Sequence, residues 1–113
     1  MQRKFRLTRS TDFKRVRYKG KSYAHPFLVL IKTSNQESIT RIGVAAGKSV
    51  GNAVKRSRAK RLLRAAARDL YPEIISGHDL VLIARKPIIP VKMPLVRDAL
   101  HQLLQRANLL NEL

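Results

Sequence analysis

The chain has 113 residues, no Cys, and 24 Lys and Arg against 7 Asp and Glu, which gives a net charge of +17. The lack of thiols excludes disulfides and thiolate metal sites, and the longest apolar run, residues 27–31, is too short to span a membrane. We therefore expect a soluble cytoplasmic protein with one domain over residues 1–113, whose charge attracts a polyanion.

The first predicted element is a short helix over residues 10–19. Ser10 or Thr11 can cap its start, and Gly20 can end it. Helical spacing turns Phe13 towards the core. The segment around this helix is dense in Lys and Arg, so the first element lies in a basic region.

Two strands follow this helix. Residues 27–31 are continuously apolar, which predicts a strand buried on both faces, and residues 39–46 predict a second strand. The polar segment between them is short. A hairpin is therefore the simplest pairing.

A long basic helix is predicted over residues 52–70, between a glycine-containing turn and Pro72. At about 100° per residue, its polar and apolar positions form two stripes on opposite sides. The cationic stripe comprises Ser57, Lys60, Arg61, Arg64 and Arg68, and the apolar stripe comprises Ala59, Leu62, Leu63, Ala66 and Leu70. One side therefore faces a core, and the other indicates a phosphate backbone as its ligand.

The last part of the chain predicts a strand over residues 79–84, a proline-rich loop and a final helix with one long apolar face. This order of elements predicts an α+β fold with helices packed on a sheet. The basic helix would join two parallel strands. A right-handed crossover is the general expectation for such a unit.

A catalytic site built from protein side chains is not indicated. Gly43 and Gly47, which precede Lys48, are one residue too close together for a phosphate-binding P-loop. The His, Asp and Glu residues are dispersed and lack the spacing of metal ligands or of a general acid and base. If the protein takes part in a reaction, we expect the catalytic groups to come from a partner.

The run over residues 51–64 closely resembles the signature helix of the bacterial ribonuclease P protein subunit. Other segments match in the same order, at Arg6-Leu7, Asp12-Phe13, Gly20, residues 41–44 and residues 82–87. The resemblance covers almost the whole chain. It implies a two-layer α-β sandwich with a central sheet of about four strands, three helices and a left-handed crossover in place of the right-handed one.

The resemblance also implies a function. Such a protein binds the catalytic RNA of ribonuclease P and the 5′ leader of precursor tRNA, and it aids the endonucleolytic removal of that leader. The RNA carries the chemistry with Mg²⁺, so no catalytic residue and no metal ligand are expected in this chain. No membrane and no further protein partner are required.

Two sets of residues are candidates for RNA contact. The set on the basic helix is Lys55, Arg56, Ser57, Arg58, Lys60, Arg61, Arg64 and Arg68. The set proposed for a cleft that holds the leader is Phe13, Arg17, Tyr23, Phe27, Lys48 and Asn52. Ser57 stands where the family usually has Asn, and Arg17 stands where many members have an aromatic residue.

The alternative is a ribosomal or other structural RNA-binding protein with no role in cleavage. It would share the charge and the basic helix but would need no cleft for a leader. Selective binding to ribosomal RNA in the absence of the catalytic RNA would favour this alternative.

Overall fold

In the computed structural model, which describes residues 2–111, three helices pack on a four-stranded sheet. The helices are α1 (Ser10–Lys19), α2 (Ala53–Leu70) and α3 (Met93–Arg106). The strands are β1 (Lys21–Ala24), β2 (Leu28–Ser34), β3 (Arg41–Ala45) and β4 (His78–Ala84). The predicted α+β class, with its four strands and three helices, is confirmed.

The strand order in the sheet is β1-β2-β4-β3, so the predicted hairpin between β2 and β3 is wrong. β4 lies between them, antiparallel to β2 and parallel to β3. Most residues of β4 are buried, which makes it suited to the centre of the sheet. β1 was not placed by the sequence because it is short and largely exposed. The left-handed sense of the β3-α2-β4 crossover stays a prediction.

The two faces of the sheet carry separate apolar clusters, because neighbouring side chains in a strand point to opposite faces. The larger cluster joins one face to α2 and α3 and includes Leu30 and Leu82. The smaller cluster joins the other face to α1, through Ile31 and Val81 packed with Val16. Helix α1 thus lies on the opposite face from α2 and α3.

Helix α1 has the predicted bounds but not the predicted cap. Its N-cap residue is Arg9, which makes no capping side-chain hydrogen bond, so the prediction of Ser10 or Thr11 as the cap is wrong. The helix ends at Gly20 as predicted, where the Gly20 N–H donates to the Val16 carbonyl oxygen at 2.7 Å. The helix is stabilised by burial of its apolar side and by the ion pair between Arg15 and Asp79.

Candidate nucleic-acid interface

Helix α2 has one fully buried side and one cationic side, as its two stripes predict. Ala59, Leu63 and Ala66 are at most 1% exposed and pack in the larger cluster. Arg61 and Arg64 of the cationic stripe are exposed. The core therefore fixes the orientation of the helix, and that orientation directs the guanidinium groups into solvent.

The turn before α2 is built from backbone and side-chain hydrogen bonds. Asn52 caps the helix, because its side-chain oxygen accepts from the Lys55 N–H at 3.0 Å. Gly51 has a φ of 141°, a conformation that residues with a Cβ rarely adopt. The Arg56 side chain donates to the Gly51 carbonyl oxygen at 3.1 Å. Asn52 and Arg56 therefore stabilise the turn, whereas the Lys55 side chain is exposed.

The outward side of α2 is a shallow open surface. It is lined by Ala53, Val54, Ser57, Lys60, Arg61 and Arg64. Val54, at the edge of this surface, is 75% exposed. A shallow surface of this kind suits contacts with a phosphate backbone, which need little enclosure.

A deeper pocket of about 330 Å³ lies beside β3, between α2 and the segment that leads into α1. Its apolar lining is Leu7, Phe13, Ile42, Val44 and Ala67, and its polar lining is Arg6, Thr8, Arg64 and Arg68. The size is at the lower end of the range for small-ligand sites, roughly 300–1,000 Å³. The pocket thus combines an aromatic ring with three guanidinium groups.

The position of Phe13 in this pocket depends on Gly43 of β3. A Cβ atom at Gly43 would lie 2.5 Å from Cζ of Phe13 and 3.0 Å from Cβ of Leu7. The ring therefore rests on the bare backbone of β3. Gly43 lies within the strand and makes room for an aromatic side chain.

The cations that surround the pocket have no acidic partner within residues 2–111. Ion pairs in this part of the chain involve Arg15, Arg41 and Arg97, and none involves a cation of the pocket. No acidic side chain lines the pocket either. The three guanidinium groups therefore offer their full charge to an anionic ligand.

Asp79 connects α1 to the sheet from a fully buried position. Its carboxylate accepts hydrogen bonds from Arg15, from Arg41 at 3.0 and 2.9 Å, and from Asn35 at 2.9 Å. Burial alone would raise the pKa of Asp79, but the bonds from Arg41, Asn35 and Arg15 outweigh it and leave the pKa below its ordinary value. The same bonds raise the pKa of Arg15 and Arg41 against the opposing effect of burial.

The network around Asp79 was not predicted from the sequence. The acidic residues are dispersed in the sequence, and Arg15 and Asp79 are 64 positions apart. The periodicity of a single segment carries no signal for such a pair. Within residues 2–111, no three His, Asp or Glu side chains are grouped so that they could hold a metal ion, and no helix is long and apolar enough to cross a membrane.

Comparison with known proteins identifies the family. The family model described as "Ribonuclease P" matches residues 1–108. The chain belongs to the ribonuclease P protein family. It is 38% identical to the ribonuclease P protein component of Herpetosiphon aurantiacus, with 96% of this chain and 89% of that protein covered. It is 37% identical to the component from a Bacillus cereus strain, with 96% of each chain covered.

Solved structures of this family have the same fold. The ribonuclease P protein of Staphylococcus aureus superimposes with a TM-score of 0.83 at 29% identity, over 95% of this chain and 98% of that one. The protein of Thermotoga maritima gives a TM-score of 0.80 at 30% identity, over 89% and 96% of the two chains. Membership of this family makes the chain an RNA-binding component of a ribonucleoprotein that processes the 5′ end of tRNA.

The ribonuclease P fold separates the residues that the sequence grouped in one cleft. Phe13 lines the pocket, whereas Tyr23 and Phe27 pack against the larger cluster on the other face of the sheet. The prediction that all three line one cleft is therefore wrong. For Tyr23 the cause is the unforeseen strand β1, in which Tyr23 pairs with Leu30 and takes the same face.

The remaining candidates lie outside the pocket. Arg17 is exposed on α1 beside Lys14 and Tyr18, and Tyr18 is 89% exposed. Lys48 is exposed in a short 3-10 turn before α2. Arg6 was not among the candidates, although the segment Arg6-Leu7 carried part of the family resemblance. An isolated bridge between Arg6 and Ile42 of β3 holds this segment at the edge of the sheet.

Proposed function

We propose that the protein docks on the catalytic RNA of ribonuclease P through Ser57, Lys60 and Arg61 on the outward side of α2, and that it holds the 5′ leader of precursor tRNA in the pocket beside β3. The observation that carries the proposal is the position of the Phe13 ring in a pocket with Arg64 and Arg68. An unpaired base can stack on the ring while the guanidinium groups bind the adjacent phosphates.

The open side of α2 suits a different contact. Ser57, Lys60 and Arg61 lie on a shallow surface with no enclosed aromatic ring. Phosphate contacts there would position the protein on a folded RNA without reading its sequence. The proposal therefore assigns Ser57, Lys60 and Arg61 to the catalytic RNA, and the pocket with Arg64 and Arg68 to the substrate.

A pocket for the leader would favour substrate over product. Mature tRNA has no leader, so the binding energy from Phe13, Arg64 and Arg68 is available only to the precursor. In this proposal the catalytic RNA and its Mg²⁺ cleave the phosphodiester bond, and the protein binds and orients the RNAs. We also propose that the complex acts in the cytoplasm and needs no further protein partner.

The proposal is tested by reconstituting the holoenzyme and measuring its affinity for precursor and mature tRNA. Arg68→Gln should weaken the binding of precursor tRNA while leaving that of mature tRNA nearly unchanged. Arg61→Gln should instead weaken assembly with the catalytic RNA and lower the slope of log affinity against log salt by about 0.7–0.9 for a lost phosphate contact.

Arg97→Gln is the matched control, because Arg97 lies on α3 and pairs with Asp69 at 3.5 Å. It removes the same charge from the protein, and Arg97 lines neither the pocket nor the open surface of α2. If Arg68→Gln weakens binding to both tRNAs equally, the pocket does not hold the leader. If the protein binds ribosomal RNA and gives no enhancement of cleavage at low Mg²⁺, the structural RNA-binding alternative is correct.

A further inference from the structure

A second cationic cluster lies at the opposite edge of the sheet from β3, and it comprises Lys21, Lys32 and Arg106. Lys21 of β1 and Lys32 of β2 are register partners. Their ammonium groups lie 5.7 and 5.8 Å from the centroid of the same ring, Tyr23. Two like charges therefore face each other across an antiparallel strand pair, with an aromatic ring near both.

This pairing is unfavourable for the free protein. Like charges directly opposite each other on neighbouring strands destabilise a sheet, whereas opposite charges stabilise it. No acidic side chain within residues 2–111 forms an ion pair with Lys21, Lys32 or Arg106. The attraction of each ammonium group to the Tyr23 ring opposes this repulsion.

Two of the three cations donate hydrogen bonds to backbone oxygens, one in β1 and one at the C-terminal end of α3. Arg106 donates to the Ala24 carbonyl oxygen at 2.9 Å, and Lys32 donates to the Ala107 carbonyl oxygen. These bonds attach the C-terminal end of α3 to β1 and β2. Within residues 2–111 the Lys21 ammonium group makes no such hydrogen bond, and its contact is with the Tyr23 ring.

We propose that Lys21, Lys32 and Arg106 bind a backbone phosphate of the catalytic RNA at a second contact, separate from α2. A phosphate group between Lys21 and Lys32 would turn their repulsion into attraction, and Arg106 would add a further donor beside it. This inference rests on the proposed docking of α2 on the same RNA.

The location of the cluster favours the folded catalytic RNA over the single-stranded leader. Tyr23 packs in the larger cluster, so Lys21 and Lys32 lie on the face of the sheet that α2 and α3 cover. A folded RNA docked on α2 already lies on this side of the protein. The pocket assigned to the leader lies at the other edge, beside β3.

The test compares the effect of one variant on folding with its effect on binding. Lys21→Gln removes the repulsion and also one contact with the Tyr23 ring, so the melting temperature of the free protein should stay the same or rise. The same variant should bind the catalytic RNA more weakly, with the slope of log affinity against log salt lowered by about 0.7–0.9. Lys21→Glu should raise the melting temperature, because it can pair with Lys32, and should weaken RNA binding more than Lys21→Gln.

Lys92→Gln is the matched control, because Lys92 is an exposed residue at the opposite end of α3. An unchanged salt slope for Lys21→Gln, or an equal loss for Lys92→Gln, would overturn the inference. Arg61→Gln in the same assay tests the docking of α2 separately. If Arg61→Gln has no effect while Lys21→Gln lowers the slope, the assignment of α2 fails and the second contact remains.

Discussion

Arg15 of α1 donates to the carboxylate of Asp79 in β4, and this ion pair joins α1 to an internal strand of the sheet. The Asp79 side chain is fully buried, whereas about a third of the Arg15 side chain is exposed. The pair also fixes the helix that carries Phe13. It therefore affects both the stability of the fold and the geometry of the pocket.

Asp79→Asn should lower the free energy of unfolding by about 3 kcal/mol. Breaking a buried ion pair by removing one partner costs about 3–5 kcal/mol, and the partial exposure of Arg15 and Arg41 favours the lower end. Urea denaturation measures the change. Asp69→Asn is the control, since the Arg97–Asp69 pair is about 40% exposed and should contribute less than about 1 kcal/mol. Equal losses would contradict a special role for Asp79.

The stability of the protein should also fall in acid because of Asp79. Its pKa is lower in the folded state than the ordinary value of about 4. The stabilisation is therefore fully present above about pH 4 and is lost as the pH falls through the folded pKa. Urea denaturation from pH 6 down to pH 2 measures this loss. In Asp79→Asn this part of the pH dependence should disappear, and an unchanged profile would assign it to other carboxyl groups.

Gly43→Ala should displace Phe13 and close part of the pocket. The added Cβ would lie 2.5 Å from the ring, and overpacking of this kind costs about 1–3 kcal/mol. Precursor tRNA should bind less tightly to the reconstituted complex, and the free energy of unfolding should decrease. Gly47→Ala is the matched control, because no atom lies within 4 Å of a Cβ there. A similar loss of precursor affinity in both variants would show that Phe13 is not involved.

Variants of Asn52 separate its capping role from a contact with RNA. Asn52→Ala removes the oxygen that accepts from the Lys55 N–H, and it should cost about 1 kcal/mol of stability. Asn52→Ser keeps a capping oxygen and should retain nearly full stability. If the side chain serves only as a cap, Asn52→Ser should also retain full affinity for precursor tRNA. A loss of affinity without loss of stability would support the original assignment of Asn52 to the leader cleft.

The helices could be predicted from the sequence because their signals are local. The spacing of Ala59, Leu63 and Ala66 indicates the buried side of α2, and Pro72 marks its end. Strand pairing is different, since any of several apolar strands can pair with β2. In the structure β4, which is buried on both faces, lies between β2 and β3 and pairs with both.

Only the part of the candidate site that lies on one helix could be predicted, because only that part has a local signal in the sequence. The cations of α2 form a continuous pattern, and their exposure follows from the helical period. The pocket combines Arg6, Phe13, Val44 and Arg68 from separate segments, and no local pattern reports that combination. The family resemblance supplied Phe13, but Tyr23 was misplaced because β1 was not foreseen.

The position of β4 has a consequence for synthesis of the chain on the ribosome. β2 and β3 are made early, but they do not pair with each other, and the strand that joins them is made after α2. The nascent chain therefore exposes unpaired strand edges together with its most basic segment until residue 84 has emerged. During that interval its net positive charge opposes association between nascent chains and attracts any nearby RNA, so assembly with RNA can begin before folding is complete.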